Sequence, residues 1–101
     1  MISTAQVSVV ITHEAGLHAR PSVKLTKLAK TFAARVEMAT DPAGPWLDAK
    51  SIVKVMAARA PKGAQLYLRA EGGQAREAIE ALAALVERDF DEGNEADVRT
   101  A

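Results

Sequence analysis

Gly16-Leu17-His18-Ala19-Arg20-Pro21 is the junction at which this sequence changes period, and the fold reads outward from it. Before it, Val7, Val9 and Ile11 alternate with Gln6, Ser8 and Thr12, Val10 being the exception. That period of two predicts a half-buried strand over residues 5–12. After it, Leu25, Leu28, Ala29 and Phe32 recur at helical spacing, which predicts a helix from Ala19 to Phe32. Pro21 falls in the first turn, where its missing N–H removes no intrahelical bond. Gly16 lets the loop turn. His18 then stands at or beside a helix N-terminus, where unpaired amides and the helix dipole favour an anion.

The remaining chain continues in the same idiom. Ala34, Val36 and Met38 face one way and Arg35 and Glu37 the other, a strand over residues 33–39. Asp41-Pro42-Ala43-Gly44-Pro45 is turn chemistry, and Trp46-Leu47 opens a short third strand. Ser51 is placed to cap a short helix in which Ile52, Val55 and Met56 form a stripe, ended by Pro61-Lys62-Gly63. Ala64, Leu66, Leu68 and Ala70 alternate with Gln65, Tyr67 and Arg69 in a fourth strand. Gly72-Gly73 turns the chain into a last helix from Gln74 to Phe90, with Ile79, Leu82, Ala83, Val86 and Phe90 on one side. The order β-α-β-β-α-β-α predicts an α+β layer: one antiparallel sheet with helices on one face. Residues 1–90 form the domain, and residues 91–101 are expected to be a polar, flexible tail.

Composition narrows the function. A chain of 101 residues holds one core, and without cysteine there is no thiol catalysis, disulfide or thiolate metal site. No run is apolar enough to span or insert into a membrane, so a cytoplasmic protein is expected. Net charge is zero but uneven. Residues 1–72 carry ten Lys/Arg against five Asp/Glu, and residues 73–101 carry three against eight. Arg20, Lys24, Lys27 and Lys30 on the first helix, with Lys50 and Lys54 beyond, make a basic face suited to an acidic partner or a phosphate. Nucleic acid is disfavoured by the neutral total and the lack of interleaved aromatics. His13, Glu14 and His18 do not make a zinc motif: the histidines are five apart and Gly16 interrupts any helix between them. No metal and no cofactor is expected.

A neutral imidazole, with an ordinary pKa of about 6.5, is a good nucleophile near physiological pH. Attack on a phosphoryl group gives a phosphoramidate that can pass the group onward. Charge on the phosphoryl oxygens would be met by Arg20 and by the backbone amides of Ala19 and Arg20. The plainer role for His18 is a polar helix cap.

The hexapeptide resembles the active-site signature of the histidine-containing phosphocarrier (HPr) family of the bacterial phosphoenolpyruvate-dependent phosphotransferase system. Asp48-Ala49-Lys50-Ser51-Ile52-Val53-Lys54-Val55-Met56 is similar to that family's second signature, and Lys62-Gly63 before a strand recurs there too. The likeness covers about residues 4 to 90. It implies an open-faced β-sandwich of four antiparallel strands and three helices. It implies that His18 accepts a phosphoryl group on Nδ1 from enzyme I and passes it to an enzyme IIA protein or domain, with Arg20 contacting the group and partner carboxylates. The protein would be a carrier, not an enzyme, and a monomer. Leu17, Lys24, Lys27, Ile52, Val53 and Met56 match the docking surface. Ser51 aligns with a serine that an HPr kinase/phosphorylase modifies in some members. The other readings are a regulatory module acting by phosphorylation-dependent binding, and a nitrogen-related or dihydroxyacetone kinase branch. Departures from the family pattern are His13, Ser22 in place of the usual alanine (a hydroxyl expected near the site), the longer Pro42–Trp46 loop and the acidic tail.

Overall fold

A computed structural model describes residues 3–14 and 16–91. Its elements are β1 (Thr4–Val10), α1 (Ala19–Lys30), β2 (Arg35–Ala39), β3 (Leu47–Asp48), α2 (Ile52–Ala57), β4 (Gln65–Glu71), α3 (Ala75–Glu87) and a 3-10 turn, Asp89–Asp91. The expected order is therefore present. The acidic tail beyond residue 91 lies outside the described residues.

The four strands form one sheet in the order β1-β4-β2-β3, and every neighbouring pair is antiparallel. Register follows the apolar alternation. Val7 lies opposite Leu68, Met38 opposite Leu68 from the other side, and Val36 opposite Ala70. A slip of one residue would turn these side chains to solvent. Val9, Leu66, Leu68, Val36 and Met38 thus meet Leu25 and Ala29 of α1, Val55 of α2 and Ile79, Leu82 and Val86 of α3 in a single core. The opposite face carries Arg69, whose Nε donates to Glu37 Oε1 (2.8 Å) while its guanidinium lies 4.0 Å from the centre of the Trp46 ring.

Two helix ends differ from the expected ones. α1 stops at Lys30 rather than Phe32, because the Thr31 hydroxyl donates to Leu28 O (2.6 Å) and the N–H groups of Thr31 and Phe32 bond only three residues back. α3 stops at Glu87. Phe90 is fully buried, as its spacing suggests, yet it reaches the core through left-handed backbone at Asp89 and Phe90 (φ 58° and 56°) and not on a helix. Trp46 lies just outside the two-residue β3.

Candidate functional site

His18 is the N-cap of α1, with extended backbone (φ −86°, ψ −167°), and its side chain makes no capping hydrogen bond. The plain capping role is therefore absent, and the imidazole is exposed. Ser22 N–H closes the first turn on His18 O (3.0 Å). Pro21 has no N–H, so the amides without an intrahelical acceptor are those of Ala19 and Arg20. These are the two amides that the sequence assigns to an anion. Arg20 is exposed on the same turn.

The loop that presents His18 is seated on the chain just after α2. Leu17 N–H donates to Ala60 O (2.8 Å), and Gly16 has φ 66°. A Cβ at Gly16 would run into the Ala60 carbonyl oxygen and lie 2.8 Å from Pro61 Cα. The hexapeptide's glycine thus answers both a backbone angle and a close approach. Pro61, read from sequence only as a stop, is part of that seat. A shallow cleft of about 630 Å³ results, lined by Leu17, His18, Met56, Ala57, Arg59, Ala60 and Pro61.

Several side chains stand differently from expectation. Leu17, assigned to the docking surface, is buried (3% exposed) and holds the loop in the core. Ser22 offers no hydroxyl to the site: it is fully buried and its Oγ donates to Leu17 O (3.2 Å), which pins the loop to the helix. Lys24, assigned to the docking surface, is half-buried, and its Nζ donates to Phe90 O (2.9 Å). Lys27 is exposed. In α2, Val55 is the inward residue, Ile52 is half-buried, and Val53 (75% exposed) and Met56 (40%) form an apolar patch beside the cleft. His13 is not a bare loop residue, because its ring meets Phe90 edge-on with centroids 6.0 Å apart. Ser51 caps α2 as expected, Oγ accepting from Lys54 N–H (3.4 Å). Among the described residues no cluster of His, Asp or Glu could hold a metal ion. No helix among them is long and apolar enough to cross a membrane.

Glu14, in the loop before His18, pairs with Lys62 in the turn leading to β4. The hydrogen bond from Lys62, then its charge, holds the Glu14 carboxyl below the usual carboxylate value, and the same contact raises Lys62. The pair's contribution on the carboxylate side is present above the ordinary Glu pKa and fades as pH falls through the lowered one. On the lysine side it fades as pH rises through the raised value. Both groups are solvent-exposed, so the effect on stability is small. Lys62→Ala should move the Glu14 titration upward in carboxyl-carbon NMR; an unmoved midpoint would show that the pair does not persist in solution.

An exposed imidazole at a helix start, two open amides, a neighbouring arginine and an apolar rim together suit a nucleophile that takes and releases an anionic group. The comparisons agree. The family model for the phosphotransferase system HPr component phosphorylation site matches residues 5–88. Phosphocarrier protein HPr of Cupriavidus necator is 42% identical over 88 residues, covering 87% of this chain and 97% of that protein. Phosphocarrier protein NPr of Escherichia coli K12 is 37% identical over 88% of this chain and 98% of its own. The crystal structure of an HPr from Thermoanaerobacter tengcongensis superposes with a TM-score of 0.80 at 33% identity, covering 87% of this chain and 97% of that one. The chain belongs to the HPr family, the phosphocarriers of the phosphotransferase system, and it carries a phosphoryl group between other proteins rather than turning over a substrate of its own.

Proposed function

We propose that His18 Nδ1 is the atom that carries the phosphoryl group, and that Arg20 with the amides of Ala19 and Arg20 holds its oxygens. The observation that supports this most directly is the uncommitted, exposed His18 ring at the start of α1. In the forward step the phosphohistidine N–P bond of enzyme I breaks as the N–P bond to His18 forms. In the next step an enzyme IIA histidine takes the same phosphoryl group and His18 leaves as neutral imidazole. Such transfers ask the protein mainly for positioning and charge neutralisation. The exchange takes place in the cytoplasm, with this chain a monomer.

The docking surface is the exposed Val53–Met56 patch with Lys27 and half-buried Ile52, where apolar contact and positive charge meet an acidic partner. Ser51 is the candidate for control by an HPr kinase/phosphorylase. A phosphate there would add negative charge beside that surface and repel acidic partners.

The decisive experiment supplies purified enzyme I and phosphoenolpyruvate, then enzyme IIA proteins of the carbohydrate and nitrogen-related branches side by side. The expected result is one acid-labile, base-stable phosphoryl group on the His18-containing peptide, discharged fastest to a carbohydrate-branch enzyme IIA. Label elsewhere, or none, would overturn the assignment of His18. Stoichiometric binding of a partner without discharge would favour the regulatory module instead.

A further inference from the structure

α2 ends in a conformation that its residue there does not favour. Ala58 closes the helix with right-handed angles, and Arg59 follows at φ 50°, its N–H donating to Met56 O (3.2 Å). A left-handed residue just past a helix end is usually glycine, since a Cβ there crowds the neighbouring carbonyl. Backbone held in that region without glycine is a pointer to function when it borders a site. Arg59 does border one: it is exposed and lines the cleft with His18. The next residue, Ala60, supplies the carbonyl that fixes Leu17 N–H (2.8 Å). The root of the Arg59 side chain is therefore tied to the loop that presents the imidazole.

Several other cations are engaged within the chain, whereas Lys27, Lys30 and Lys54 are exposed on the helices and do not line the His18 cleft. Lys24 Nζ donates to Phe90 O, Lys50 Nζ to Phe32 O, and Lys62 pairs with Glu14. On the far face Arg35 and Arg69 both pair with Glu37. Among the described residues no carboxylate pairs with the Arg59 guanidinium. A planar, permanently charged fork left uncommitted beside a nucleophile suits the oxygens of a phosphoryl dianion.

We propose that Arg59 is a second guanidinium for the phosphoryl group on His18, approaching from the α2 side of the cleft as Arg20 does from α1. It rests on the assignment of His18 as the carrier. A nearby cation stabilises the phosphoryl dianion relative to the monoanion, so its removal makes the last proton harder to lose.

Arg59→Gly suits the left-handed angle and keeps the fold, so it separates charge from structure. The protein and this variant are loaded with enzyme I and phosphoenolpyruvate, checked by intact mass, freed of enzyme I, and titrated by 31P NMR. The expected result is full loading of both and an unchanged or higher Tm for the variant. Its phosphoryl midpoint should rise by about half a pH unit, as for loss of one partly solvated opposite charge. Arg59→Lys should return most of that shift. A loaded Arg59→Gly protein with an unmoved midpoint overturns the proposal; so does slower transfer to enzyme IIA with the midpoint unmoved, which would assign Arg59 to the partner. Failure of the unsubstituted protein to load at His18 overturns the carrier assignment as well, so the two failures are distinct.

Discussion

His18→Gln ends phosphoryl uptake altogether while leaving the protein folded. The ring is exposed and its side chain closes no capping bond, so its loss takes nothing from the core or from the first turn of α1. Surface replacements of this kind stay within about 0.5 kcal/mol. Glutamine preserves a polar side chain but has no basic nitrogen with a lone pair for phosphorus. Intact mass after exposure to enzyme I and phosphoenolpyruvate should show no added phosphoryl, with circular dichroism and Tm as in the unsubstituted chain. Residual stoichiometric uptake would place the acceptor elsewhere, and a large fall in Tm would make His18 a structural residue.

Gly16→Ala should be far more damaging to structure. At φ 66° an L-residue costs about 1–2 kcal/mol. The new methyl would also meet backbone, the Ala60 carbonyl and Pro61, which cannot swing aside as a flexible side chain can. Forcing it in costs typically about 1–3 kcal/mol more. A domain of this size loses roughly 4–8 °C per kcal/mol, so the combined cost of about 2–5 kcal/mol should lower Tm by roughly 8–40 °C. The Leu17 amide, now bonded to Ala60 O, should lose protection from hydrogen exchange before the sheet does, and transfer should slow with it. An unchanged Tm would mean that the loop is not seated on Ala60 in solution.

The comparison of these two residues shows what the sequence could disclose. The strands are legible because inward positions such as Val36, Met38, Leu66 and Leu68 alternate, and each proves buried. His18 is legible because a glycine-to-proline junction between two periods marks a helix start. Gly16's second reason is not legible, since the carbonyl it approaches is 44 residues away in sequence terms and is brought near only by folding. Ser22 and Leu17 illustrate the same limit: whether a residue beside a site faces solvent or core depends on the loop's seat, and both turn inward. The spacing of Phe90 marks it as core, and it is buried, yet two left-handed non-glycine residues deliver it, and no propensity favours that route. Arg59 has the same concealment, its left-handed angle having no glycine to announce it.

The single tryptophan lends itself to a practical use. Trp46 is half-buried against Arg69 on the helix-free side of the sheet, with the guanidinium 4.0 Å from its ring. The indole also lines a groove that reaches Lys54 of α2, so a protein docking on that helix comes to the edge of the same environment. Separation of β2 from β4 removes the stacked cation and wets the indole, so its emission reports loss of the sheet. One native fluorophore thus stands at the junction of the sheet and α2, where both loss of the sheet and a partner on the helix can be read from its emission.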